Sequence, residues 1–141
     1  MQGHIHIGRR KRVGIKFIKV SVVYFVFGVL LGMYMSMQHD YALTGVHVHI
    51  NLLGWASFAL AGIIYYLFPK AGNHTLAKVH FWGTNIGLPL MMGGLATLLI
   101  SESEQATIFI SLGATLVVIS TILFAYNVLM NVRVPVITPK E

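Results

Sequence analysis

Residues 105–130 read QATIFISLGATLVVISTILFAYNVLM, 26 positions without a charge. A helix rises about 1.5 Å per residue, so such a stretch crosses a bilayer core about 30 Å thick. Working outward, the pattern repeats: 79–100 and 45–68 are free of charge, and 17–38 carries only Lys19. Backbone N–H and C=O groups find no water inside lipid, so each run has to close its own hydrogen bonds as a helix. The expected fold is therefore an all-α membrane protein of four transmembrane helices. Composition agrees, since the 141 residues are 56% hydrophobic and 10% charged, and nearly every charge falls outside the apolar runs. The first run is too long for a signal peptide and lacks a small-residue cleavage site before the next polar segment, so it counts as the first helix.

The charges also give an orientation. Arg9, Arg10, Lys11, Arg12, Lys16 and Lys19 precede or open the first helix, Lys70 and Lys78 lie between the second and third, and Arg133 and Lys140 follow the fourth. All ten fall on one side of the membrane, whereas Asp40, Glu102 and Glu104 fall on the other and only Glu141 shares the basic side. Positive charge collects on the cytoplasmic side, so both termini are expected there, in a bacterial-type inner membrane. Beside a membrane helix, the stretch Arg9–Arg12 reads as attraction to anionic headgroups of the bilayer rather than as nucleic-acid binding.

Three segments follow: a basic tail over 1–14, a four-helix domain over 15–131 and a second tail over 132–141. The connections 38–44, 69–77 and 101–104 are short, which makes successive helices antiparallel neighbours. Gly28 with Gly32, and Gly83 with Gly87, have the small-xxx-small spacing that lets helices approach closely in lipid. The chain has no cysteine, which excludes disulfides, thiolate metal sites and cysteine-ligated haem or iron–sulfur clusters, so any metal is expected to use histidine.

The second run opens Val46-His47-Val48-His49-Ile50-Asn51-Leu52-Leu53-Gly54-Trp55, which puts two imidazoles about one turn inside the apolar region. Ionisable groups at that depth need partners and are functional candidates by default. Residues two apart on a helix diverge by about 200°, so His47 and His49 face different neighbours and cannot both reach one metal from a single regular helix. Two readings stand together: metal ligands, or interfacial histidines bonded to headgroups and backbone. His80, near the start of the third helix, lies close to the opposite face from His49 and, with Trp82, reads as an interfacial anchor; it and His39, in an outer loop, are secondary ligand candidates. His74 is in a loop, His4 and His6 are in the tail, and Tyr65-Tyr66 reads as part of an aromatic belt.

Taken together, His49-Ile-Asn-Leu-Leu, Tyr65-Tyr-Leu-Phe-Pro69 and His80-Phe-Trp-Gly-Thr-Asn-Ile-Gly resemble the catalytic subunit of the haem–copper oxidases and nitric oxide reductases, over roughly residues 45–95. The resemblance implies that His49 is an axial ligand of haem b. That family's subunit arranges about twelve helices as three arcs of four, and this chain would supply a single arc. The copper-site histidines, the tyrosine cross-linked to one of them and the outer basic residues that hold haem propionates have no counterpart, so oxygen or nitric oxide reduction is not expected and no catalytic residue is assigned.

A homotrimer would restore twelve helices, with His47 of one chain and His49 of the next holding a haem between them and Asn51 and Trp55 shaping its pocket. Iron held by two imidazoles suits electron transfer, or redox or gas sensing, with quinol or another carrier as a possible partner. The competing reading is a non-redox transport, assembly or accessory subunit that binds copper or zinc through His47 and His49.

Overall fold

The computed structural model of the protein describes residues 12–133. Four helices are long and apolar enough to cross a membrane: α1 (Arg12–Gln38), α2 (Thr44–Leu67), α4 (Thr75–Ser101) and α5 (Ala106–Asn131). The short α3 (Pro69–Gly72) sits in the connection between α2 and α4. His4, His6, the residues Arg9 to Lys11, Lys140 and Glu141 lie outside the described residues. The expected runs and the observed helices agree closely. The main difference is at α1, which is already helical at Arg12 and so takes in the last residues assigned to the tail.

The chain reverses with little material, and local chemistry sets each turn. After α1, His39 adopts a left-handed φ of 52°, and Asp40 Oδ1 accepts from the Ala42 amide at 3.0 Å. Thr44 Oγ1 then donates to the Tyr41 carbonyl at 2.7 Å as α2 starts. Pro69 opens α3 at a position where its missing N–H costs nothing. His74 starts α4, its Nδ1 accepting from the Leu76 amide at 3.2 Å. Between α4 and α5, Glu102 takes a left-handed φ of 52°.

Within α2 the helix changes its winding. Thr44–His49 and Phe58–Leu67 are α-helical, but Ile50–Ser57 is a π-helix, and the Ser57 hydroxyl donates to the Leu52 carbonyl five residues back at 2.8 Å. A π segment is rare and marks a place where register is altered inside an otherwise regular helix.

Helix contact in lipid depends on close packing rather than on burying apolar surface from water. The α4–α5 contact follows that rule: a Cβ added to Gly87 would lie 2.9 Å from the Gly113 carbonyl oxygen, and one on Gly113 would lie 2.6 Å from that of Gly87. At the basic end of the bundle, α1 and α2 cross where a Cβ on Gly14 would sit 2.7 Å from the Gly62 carbonyl oxygen. Buried hydroxyls turn back on their own helices: Ser21 bonds the Ile18 carbonyl at 2.8 Å and Thr84 the His80 carbonyl at 2.7 Å. No buried side-chain nitrogen or oxygen among the described residues lacks a partner.

The glycine contacts make a paired prediction. Gly113→Ala presses a methyl against backbone that cannot turn aside and should destabilise by about 1–3 kcal/mol. Gly93→Ala meets nothing within 4 Å and should be neutral or stabilise by up to about 1 kcal/mol through helix propensity. Thermal unfolding in detergent, followed by circular dichroism, checks both; equal effects would contradict the assignment.

Candidate functional site

His47 and His49 stand in the first turns of α2, before the π segment, so ordinary α-helical divergence applies to them. His47 turns towards α1 and is half-buried, its Nδ1 lying 3.0 Å from the Gly28 carbonyl oxygen. His49 is exposed, with Nδ1 2.7 Å from the Gly45 carbonyl oxygen one turn back. A carbonyl oxygen only accepts, so in each neutral ring Nδ1 carries the proton and Nε2 the lone pair. Neither Nε2 has a hydrogen-bond partner among the described residues. Because no buried side-chain nitrogen there goes unpaired, the Nε2 of half-buried His47 is not sealed inside the protein.

The paired glycines of α1 serve this arrangement. A Cβ on Gly32 would lie 2.7 Å from His47 Cε1, and a Cβ on Gly28 would lie 2.6 Å from the Asn51 amide. Their spacing, read from the sequence as room for a neighbouring backbone, is room for two side chains. Asn51 is held in turn by donating Nδ2–H to the His47 carbonyl at 2.8 Å, so Gly28, Asn51 and His47 form one unit. Trp55 is 40% exposed and stacks on Phe25 of α1, with ring centroids 4.2 Å apart.

The secondary candidates separate. His39 is exposed in the loop at the same end as the pair. His80 corrects the sequence reading: it is 5% exposed and is a core residue rather than an interfacial anchor. Its ring lies between Phe17 of α1 and Phe124 of α5, with both centroids 4.8 Å away. Its Nδ1 shares a 3.1 Å hydrogen bond with the hydroxyl of Tyr65 from α2. Tyr65 is fully buried, which also removes it from the aromatic belt, while Tyr66 and Trp82 remain exposed.

Beside His80 is a cavity of about 160 Å³, lined also by Ser57, Thr84 and Thr121, smaller than the roughly 300 Å³ at which cofactor pockets begin. Asn127, absent from the sequence candidates, is buried next to Tyr65 and donates to the Ala71 carbonyl at 3.1 Å. An amide deep in an apolar run is a sequence signal that polar partners exist, and Asn127 carries it.

A single chain does not bring His47, His49 and His80 together. Among the described residues no three His, Asp or Glu side chains cluster as a metal site. An apolar groove of about 390 Å³ lies between α1 and α4 in the same half of the bundle, against Val46 and Ile50, and no histidine lines it. Compared with family models, with curated proteins and with solved structures, the chain matches none.

The His80 box yields a stability prediction. Tyr65→Phe leaves a buried imidazole nitrogen unpaired and should cost about 1–3 kcal/mol. Replacing both partners, Tyr65→Phe with His80→Phe, should cost clearly less than the two single losses added, because the pair acts as a unit. Denaturant titration of the four proteins in detergent measures the coupling, and strict additivity would argue against the bond.

Proposed function

We propose that the protein is a haem b-binding membrane protein of the electron-transfer or redox- and gas-sensing class, related to the haem–copper oxidase catalytic subunit, in which His47 of one chain and His49 of the next hold a haem at subunit interfaces of a homotrimer. The carrying observation is the state of the two imidazoles: each gives its Nδ1–H to a backbone carbonyl and keeps Nε2 free of protein partners. Histidines that ligate a metal commonly present one nitrogen while the other donates to a carbonyl, which fixes tautomer and ring orientation.

The residues present fit such a group in part. His49 faces outward on α2 and is available to a neighbouring chain, whereas His47 is braced by Gly28, Gly32 and Asn51 and has a set direction. The divergence of the two rings argues for one ligand from each of two chains rather than two from one. Exposed Val48, Leu52 and Trp55 supply apolar surface beside His49. Bound haem would supply one-electron exchange with little access for substrate to iron. In the same proposal both termini are cytoplasmic in a bacterial-type inner membrane, since the described basic residues Arg12, Lys16, Lys19, Lys70, Lys78 and Arg133 gather at the end of the bundle where α1 enters and α5 ends.

The test is purification in mild detergent after expression with ample haem, followed by oxidised and dithionite-reduced spectra and a native mass. A Soret band and a sharp reduced α-band in the wild type, lost in both His47→Ala and His49→Ala while circular dichroism is unchanged, are expected with a trimeric mass. A colourless wild type overturns the haem reading and leaves copper or zinc binding to be measured. Haem retained by either variant removes that histidine as a ligand, and haem in a monomer or dimer removes the ring.

A further inference from the structure

The opposite end of the bundle from His47 and His49 carries a second feature. A cleft of about 490 Å³ opens there between α1, the turn after α3 and α4, and three of its lining residues, Arg12, Lys16 and Lys78, are cationic. None of the three has an ion-pair partner among the described residues. The described carboxylates, Asp40, Glu102 and Glu104, all stand in the turns at the other end of the bundle. Lys16 Nζ instead lies 5.9 Å from the ring centroid of Phe81. Three like charges around one concavity repel each other unless an anion sits among them.

An adjoining groove indicates which anion. A channel of about 380 Å³ runs between α4 and α5, and it shares Lys78 and Trp82 with the cleft. Away from Lys78 it is walled almost wholly by apolar groups, among them Ile86, Leu116, Ile119 and Leu123. At Gly83, where a Cβ would collide with the Ser120 hydroxyl, the two helices that wall it are in close contact. Trp82, 60% exposed, stands where cleft and groove join. Indole is suited to that boundary because one end is apolar and the other tolerates water.

We propose that this end of the bundle holds an anionic phospholipid, its phosphate seated among Arg12, Lys16 and Lys78 and one acyl chain lying in the α4–α5 groove beyond Trp82. A basic depression leading into an apolar groove has the two-part chemistry of a lipid with a negative headgroup. A soluble phosphate would use the cleft and leave the groove without a purpose. A zwitterionic lipid would use the groove and leave the cations uncompensated.

The chain has two tryptophans, Trp55 and Trp82, so Trp55→Phe makes Trp82 the sole reporter. This protein, in phosphatidylcholine bilayers, is mixed with phosphatidylglycerol or phosphatidylcholine carrying identical brominated acyl chains, which quench indole on contact. Brominated phosphatidylglycerol should quench Trp82 at a mole fraction at least about fivefold lower than brominated phosphatidylcholine. Lys16→Gln and Lys78→Gln should each raise that mole fraction about fivefold, the scale of one interfacial charge. Lys19→Gln and Lys70→Gln, on the same basic side but outside cleft and groove, should leave it unchanged. Equal quenching by the two lipids, which needs no variant to interpret, overturns the proposal. So does an equal response to all four substitutions, which would mean general surface attraction, or displacement of the lipid by inorganic phosphate, which would mean a site for free anions.

Discussion

The bond between the Tyr65 hydroxyl and His80 Nδ1 stands where all four membrane-length helices meet. It joins α2 to α4, and the phenyl rings on either face of His80 bring in α1 through Phe17 and α5 through Phe124. In water, apolar burial alone would draw four such helices together. In lipid the alternative to helix contact is a hydrocarbon equally apolar, so directional bonds and shape have to select the arrangement. A buried imidazole packed against two aromatic rings and bonded to a hydroxyl is specific in that sense: it favours one set of helix contacts and one rotation. Its place at the basic end anchors that half of the bundle and leaves the other half, where His47 and His49 stand, held by lighter means.

Those lighter means are the glycines of α1. Gly83 and Gly87 on α4 admit the neighbouring helix, Gly87 meeting the Gly113 carbonyl and Val117, whereas Gly28 and Gly32 on α1 admit the imidazole of His47 and the amide of Asn51. One sequence spacing thus serves two purposes, and the difference lies in what the partner helix offers. Where the partner is small, backbones approach; where it offers a polar ring, the space is spent on that ring. His47 is consequently positioned by α1 as much as by its own helix, and its Nδ1–H satisfies a carbonyl that already serves α1. Imidazole at membrane depth is tolerated because that donation costs the helix nothing and removes the polar N–H from lipid.

Length and hydropathy made the helices legible, since a charge-free run of bilayer length has few other fates. The expected run 45–68 and the observed Thr44–Leu67 differ by a residue at each end. The start of α1 was less legible for a physical reason: Arg12 and Lys16 can be helical while their long stems carry the charge out of the apolar layer, so the first charge marks the edge of the hydrocarbon and not the end of the helix. His80 was misjudged because an interfacial imidazole and a buried one look the same in sequence. What separates them is a phenylalanine 63 positions earlier and another 44 positions later, a pairing that no local pattern contains. The π segment had no signal in its residues, and the basic cleft arises only when the start of α1 folds beside the start of α4.

The π segment bears on how the two histidines are presented. It begins at Ile50, immediately after them, so they keep their divergence and the change of register falls on the residues that follow. Within it Gly54 meets the Tyr24 ring and Trp55 packs on Phe25, which sets the middle of α2 against α1 below the histidines. The turn that carries the imidazoles is therefore fixed from beneath, by α1, while its outward side remains open. His49 is open to a neighbour, whereas His47 is half-buried against α1 with its Nε2 not sealed inside the chain. The divergence suits the proposed assembly, in which each chain offers one imidazole to the neighbour on either side.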